Sequence, residues 1–234
     1  MKPYINNYDD LMYFLDEKVA SVEWDAFYGE RKFAAPFITQ NTMPDENLVE
    51  YIAKVRSIKT ALELGCGEGR NAIFISSQGI SVTALDISPV AIENAKEIAR
   101  RAGIDVDFRC QDVIKNKING EYDFIYDSGL LHHLPPHRRL TYLEILRENL
   151  KPGGYFGLTC FAWGENCADE VNDWEFYEQK FSAGIAFSKQ RLVDLFSPSF
   201  EVVEIRKYAN HVPNTIQGLQ FMWVCLFKDK RLIK

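Results

Sequence analysis

Several absences narrow the reading before any motif is considered. No apolar stretch approaches the ~20 residues that span a bilayer, and the opening MKPYINNYDDLMYFLDEK has acids where a secretory leader needs a basic start and an apolar core. Both point to a cytoplasmic protein with no membrane partner. There is no surplus of basic charge either: 27 Lys and Arg stand against 33 Asp and Glu, a net charge of -6. A phosphate-backbone binder needs a concentrated basic face, so nucleic acid is disfavoured as a partner. The five cysteines are odd in number and scattered, which fits reduced thiols better than a disulfide framework, and Cys160 and Cys167 lack ligand spacing, so no metal is implied. Repeats and low-complexity linkers are missing. The 234 residues suffice for one sizeable domain but not comfortably for two. Oligomeric state is silent in the sequence.

What is present is alternation. Apolar runs of strand length separate helical patterns, the signature of βαβ units and a parallel sheet. TALELG (60–65) runs into glycines at 65, 67 and 69, and RNAIFISSQG (70–79) reads as a helix closed by Gly79. ISVTALD (80–86) ends on Asp86. Ser88 and Pro89 then occupy the N-cap and first-turn positions of a helix whose apolar face is Ile92, Ala95, Ile98 and Ala102, closed by Gly103. DVDFRCQD (105–112), YDFIYD (122–127), YFGLTCF (155–161), FEVVEIRKY (200–208) and LQFMWVCLFK (219–228) complete seven strands. Between the fourth and fifth, Leu140, Leu143, Leu146 and Leu150 recur at helical spacing, and KPGG is a stop signal. SKQRLVDLF (188–196) supplies another helix.

In an open α/β sheet, ligands bind at the carboxyl ends of the strands. Glycines at 65, 67 and 69 carry no Cβ, so a bulky ligand can approach the backbone, and Asp86 at the next strand end can accept two hydrogen bonds from a ribose diol. Adenosine is the natural ligand. A dinucleotide fingerprint, G-x-G-x-x-G/A, needs a small third residue; counted from Gly65 and Gly67, that position is Arg70. The spacing argues against a nicotinamide-dependent oxidoreductase.

LELGCGEGRN, ALDIS, RCQDV, YDFIYDSG and LKPGGYFGL, in this order over residues 60 to 160, resemble the successive motifs of class I S-adenosylmethionine-dependent methyltransferases. GEGRNAIFISSQGISVTALD and the upstream WDAFYGER (24–31) are similar in particular to the tellurite-resistance and thiopurine methyltransferase branch. The resemblance implies a Rossmann-like seven-stranded, mostly parallel sheet with helices on both faces and the last strand antiparallel. It implies one domain over 1–234, with a helical attachment at 1–59, a cofactor core at 60–160, an acceptor-side insertion at 161–187, and a helix and strand pair at 188–234. S-adenosylmethionine is then the cofactor and S-adenosylhomocysteine its product. Glu63, Gly65, Gly67 and Gly69 would lie beneath the methionine portion, with Arg70 beside them. Asp86 would take the ribose hydroxyls, Ile87 would pack on adenine, Asp112 and the Val113 amide would meet its amino edge, and Asp127 would border the reaction centre.

A sulfonium methyl is already electrophilic, so the protein has chiefly to hold the acceptor in line and exclude water. A thiolate or neutral amine needs little help, whereas a hydroxyl would profit from a base. His132 and His133 follow the fourth strand and are the candidates; the alternative is that one is a hydrogen-bonded packing residue. His137, Arg138 and Arg139 read as solvated surface or substrate-entry residues, and Cys66 as a small buried residue. Acceptor choice is expected in the attachments. WGENCADEVNDWEFYEQKF (163–181), beginning at Trp163, mixes acids and aromatics that would suit an organic cation or amine, or else forms an amphipathic helix packed on the sheet. Trp24, Tyr28 and Arg31 close over the cofactor or anchor their arm to the core. The sequence thus points to methyl transfer onto a small-molecule S, N or O acceptor; the alternative is a non-catalytic S-adenosylmethionine-binding protein of the same fold.

Overall fold

The computed structural model describes residues 5–19, 22–30, 35–55, 57–164, 172–179, 184–209 and 211–232. Four helices come first: α1 (Tyr8–Asp16), α2 (Trp24–Glu30), α3 (Pro36–Thr39) and α4 (Glu46–Lys54). The alternating core follows as β1 (Thr60–Leu64), α5 (Arg70–Ser77), β2 (Ser81–Asp86), α6 (Pro89–Ala102), β3 (Asp107–Cys110), β4 (Tyr122–Ser128), α7 (Pro136–Asn149) and β5 (Leu150–Phe161). The chain ends with α8 (Asp173–Gln179), α9 (Lys189–Phe196), β6 (Phe200–Lys207) and β7 (Met222–Asp229). No helix among the described residues is long and apolar enough to cross a membrane.

The seven strands form one sheet in the order β3-β2-β1-β4-β5-β7-β6. The first five run parallel, and β7 is antiparallel to both β5 and β6. The fold class is therefore the expected one. Side-chain alternation divides the core into two layers. Leu62, Leu64, Ile125 and Leu158 pack with Leu146 of α7 and with Leu192 and Phe196 of α9 on one face. Ala61, Phe124 and Tyr126 meet Leu48 and Tyr51 of α4, Ala72 and Ile75 of α5, and Ile92, Ala95 and Ala99 of α6 on the other. Strands buried on both faces are what a parallel sheet demands. Ser88 caps α6 by accepting from the Ala91 N–H at 3.1 Å, and Gly103 ends it in the left-handed region, as the sequence signals require.

Two expectations need correction around α7. The KPGG stretch does end the helix, but the chain passes directly into β5 at Leu150, with a register irregularity opposite Tyr122 and Phe124. The strand is thus longer than its apolar segment. The inward face of α7 is also different: Leu140 is 54% exposed, while His137, Arg138 and Arg139 are buried with Tyr142 and Leu146. These three cationic residues leave solvent because acids and a tyrosine from other segments reach them.

Register brings the strand ends together. Leu64 lies opposite both Leu85 and Asp127, and Asp127 opposite Leu158. The glycine loop after β1, Asp86 at the end of β2 and Asp127 near the end of β4 therefore share one sheet edge.

Candidate active site

The loop after β1 is fixed by backbone conformation and by one carboxylate. Gly67 has φ 53° and Gly69 φ 79°, both left-handed, where a side chain would strain the chain. A Cβ on Gly69 would also lie 2.6 Å from the Phe108 ring, so β3 can pack here only against glycine. The Gly67 N–H donates to Asp86 Oδ2 at 2.7 Å and the Ser88 N–H to Oδ1 at 2.9 Å. Asp86 thereby ties the loop to the next βα turn, and burial raises its carboxyl above the ordinary range. Each of its oxygens keeps a lone pair for a further donor.

Glu63 projects from β1 into the α5 layer. It is buried, its Oε2 has no hydrogen-bond partner, and burial pushes its carboxyl up to about 8. A buried carboxylate oxygen without a donor is costly, so the site is chemically incomplete as it stands; a cationic amino group would complete it. Ile87, half exposed, follows Asp86 at the mouth of the edge. Asp112 accepts from the Ile114 and Lys115 N–H groups at 2.9 and 3.2 Å, the turn geometry of an Asx residue, while Val113 is buried in the core.

Arg70 has a different place from the one its neighbours suggest. Its guanidinium is buried against Asp45, with Nη1 at 2.9 Å from Oδ1, and it donates to Met43 O, Asn71 Oδ1 and Ser128 Oγ. Asp45 stands at the N-cap of α4 without capping it. Its carboxylate instead accepts from Asn71 Nδ2 at 3.0 Å and from the Tyr126 hydroxyl at 2.8 Å. Burial raises the Asp45 carboxyl, but the charge and hydrogen bond of Arg70 outweigh it and hold it below the usual range. Arg70 therefore braces the start of α5 to the N-terminal helices and to the end of β4. The sequence marks this network only by an acid, Asp45, in the cap position before α4.

On the β4 side, Asp127 is fully buried and accepts from the Leu130 N–H (2.7 Å), the Leu131 N–H (3.0 Å) and the Tyr142 hydroxyl (2.6 Å). Burial raises its carboxyl to about 6. These bonds close the 3-10 turn Leu131–His133, so Asp127 positions the two histidines. They differ in use. His132 stacks on Phe161 with ring centroids 3.7 Å apart, and its Nδ1 accepts from the Phe161 N–H at 3.3 Å, the geometry of a packing residue. His133 meets Trp24 edge-on at 4.7 Å, and its buried Nδ1 has no partner. Burial lowers both imidazoles, that of His133 to about 4.

The attachments converge on this turn. Besides the Trp24 contact, Tyr28 of α2 lies over Gly67, its hydroxyl 2.6 Å from where a Cβ would be, and Asp25 accepts from Ser88 Oγ at 2.5 Å. At the start of α7, His137 Nε2 and Arg138 Nε both contact Asp16 Oδ1 at 2.9 Å, and His137 Nδ1 meets the Tyr177 hydroxyl at 2.8 Å. Arg139 pairs with Asp173 at 2.7 Å. Trp163 is 54% exposed, its N–H donating to Phe187 O. Arg31 lies outside the described residues. The structure thus brings Glu63, Gly65, Gly67, Gly69, Asp86, Trp24, Tyr28, Asp127 and His133 to one edge.

Residues 61–154 match a family model described as a methyltransferase domain. The chain is 27% identical over 147 residues to the probable S-adenosyl-L-methionine-dependent methyltransferase TehB of Haemophilus influenzae, an alignment covering 56% of this chain and 51% of that protein. It is 33% identical over 106 residues to hemagglutinin 1 of Eikenella corrodens, covering 45% of this chain and 35% of that one. The chain thus spans about half or less of the curated relatives it matches. In fold it is similar to the Burkholderia thailandensis 1,6-didemethyltoxoflavin-N1-methyltransferase, crystallised with bound 1,6-didemethyltoxoflavin and S-adenosylhomocysteine. The TM-score is 0.64 at 19% identity, over 98% of this chain and 92% of that one. The matched segment holds Glu63, the glycine loop, Asp86 and Asp127, while Trp24, Asp16 and Asp173 lie outside it.

Proposed function

We propose that the protein transfers a methyl group from S-adenosylmethionine to the sulfur, nitrogen or oxygen of a small molecule. The observation that carries this reading is the partnerless oxygen of Glu63 behind the left-handed glycine loop, on the same sheet edge as Asp86 and His133. Glu63 offers its free oxygen to the cofactor's amino group, and Gly65, Gly67 and Gly69 let the methionine portion approach the backbone. Asp86 offers its remaining lone pairs to the ribose diol, with Ile87, Asp112 and Val113 at the adenine end. When bound, the sulfonium supplies an electrophilic methyl; the rest of the work is positional. Arg70 acts through Asp45, as a brace. Asp127 fixes the turn that carries His133.

On the acceptor side, Trp24, Tyr28 and His133 form the wall nearest the glycine loop; Trp163 would extend it. An imidazole held near 4 is neutral at physiological pH and a weak base. His133 is therefore better suited to accept a hydrogen bond from the acceptor than to deprotonate an alcohol, which favours a thiol, an amine or an acidic phenol.

The test is a transfer screen with methyl-labelled S-adenosylmethionine against small thiols, amines, phenols and chalcogen oxyanions, with Asp86→Ala in parallel. Transfer to one class, abolished in the variant, is the expected result. Tight cofactor binding with no transfer to any class would favour a non-catalytic cofactor-binding protein, and absence of cofactor binding would overturn the proposal.

A further inference from the structure

Three basic residues open α7, and two of them are held by other segments: Asp16 takes Arg138 and one nitrogen of His137, and Tyr177 takes the other. Arg139 is held at one nitrogen only. Its side chain is 5% exposed, Nη1 donates to Asp173 at 2.7 Å, and both Nε and Nη2 are buried without a partner. Nε and Nη2 form one edge of the guanidinium fork, spaced to donate two parallel hydrogen bonds to a carboxylate. A buried cationic edge lacking both acceptors is a costly arrangement. Asp173 is not reserved for Arg139: Arg191 shares the same oxygen, and both guanidiniums stand over the Phe187 ring, at 5.1 and 5.2 Å.

Arg139 is joined to the histidine turn through Phe187. The Phe187 N–H donates to Phe161 O at 2.9 Å, the Phe161 ring stacks on His132, and the Ile185 N–H donates to His132 O at 2.7 Å. Phe187 and Phe161 thus link Arg139 to the histidine turn.

We propose that the Nε and Nη2 edge of Arg139 receives a carboxylate carried by the methyl acceptor, so that the acceptor is an anionic small molecule. This deepens the methyltransferase reading and rests on it. A monoanion fits better than a phosphate dianion, since one edge offers two hydrogen bonds and Asp173 stands beside it. Within segment 163–181, Asp173 is drawn to two arginines and so is not left to attract an organic cation.

The experiment is calorimetric titration of acetate and of benzoate, with acetamide and benzamide as uncharged controls, into the complex with S-adenosylhomocysteine. Wild type, Arg139→Met and Arg139→Lys are compared. Wild type should bind at least one carboxylate and neither amide. Arg139→Met should weaken that binding tenfold or more, and Arg139→Lys should fall between, since an ammonium cannot reproduce the planar fork. Without carboxylate, Arg139→Met should melt no lower than wild type. Binding of neither carboxylate by wild type, or equal binding by Arg139→Met, overturns the proposal; a lower melting point for the Met variant with no change in carboxylate binding would make Arg139 a structural clamp. Failure to bind S-adenosylhomocysteine in the first titration would instead sink the methyltransferase reading, and the carboxylate series can then be read on the free protein.

Discussion

On the β1–β2 side of the sheet edge, the glycine loop is tied to the next turn by residues near in sequence: Gly67 and Asp86 are 19 positions apart. On the β4–β5 side the attachments are tied by residues far apart, as Asp16 and His137 are 121 apart and Trp24 reaches the turn at His133. The first half is assembled by βα turns and strand register, so it forms with the sheet. In the second, Asp127 fixes the turn locally, and α1, α2 and α8 supply the long-range contacts. A cofactor that many enzymes share can be held by a fixed cradle, whereas an acceptor particular to one enzyme can be selected by attachments that differ without disturbing the cradle.

The comparison breaks most severely at the junction, where Asp45 and Arg70 tie α4 to the glycine-loop helix. Asp45→Ala leaves a buried guanidinium unpaired and should destabilise the protein by about 3–5 kcal/mol in urea unfolding. The double variant Asp45→Ala with Arg70→Met should recover part of that loss, since it removes the orphaned charge. A mild effect of the single variant would mean that the two halves are joined elsewhere.

A smaller effect tests whether the cradle is held in a strained, ligand-ready state. Burial raises Glu63 to about 8 in the folded protein, above the ordinary glutamate value. The folded state then binds the proton more tightly than the unfolded one, so stability falls as pH rises from ~4.5 through ~8. Glu63→Gln removes that loss and should raise the stability of the ligand-free protein by roughly 2–4 kcal/mol at pH 8.5, and by much less at pH 5. The same variant should weaken S-adenosylmethionine binding. Equal melting of the two proteins at both pH values would show Glu63 to be satisfied.

The same division governs what the sequence makes legible. The strand ends, the α6 cap at Ser88, the Asp86 position and the glycine loop can all be read, because each is a local rule: turn chemistry, capping, period-two burial. The engagement of Arg70 is not legible in sequence, because its partner Asp45 is set by how α4 packs. His137, Arg138 and Arg139 read as surface because three consecutive cationic residues are ordinarily solvated. Only the fold shows that Asp16, Tyr177 and Asp173 are waiting for them. The two histidines stay ambiguous in sequence since the distinction between them is a stack on Phe161, a residue from the next strand.

The smallest effect is the most discriminating. Asp16 holds α1 against α7 through His137 and Arg138 and is itself partly exposed. Burial raises its carboxyl, but hydrogen bonds from Arg138 and His137 outweigh this and lower it. Because the folded value is depressed, the contribution is present above ~4, the ordinary aspartate value, and is lost as pH falls through the folded value. Asp16→Asn should therefore cost about 1 kcal/mol or less at pH 7, and the difference should shrink at pH 3. Its main consequence should be local. If the acceptor half is docked rather than built in, amide hydrogen exchange in α1 should quicken while β1, β2 and β4 keep their protection. Uniform acceleration across the sheet would show instead that α1 belongs to the same cooperative unit as the cradle, and the division between the two halves would fail.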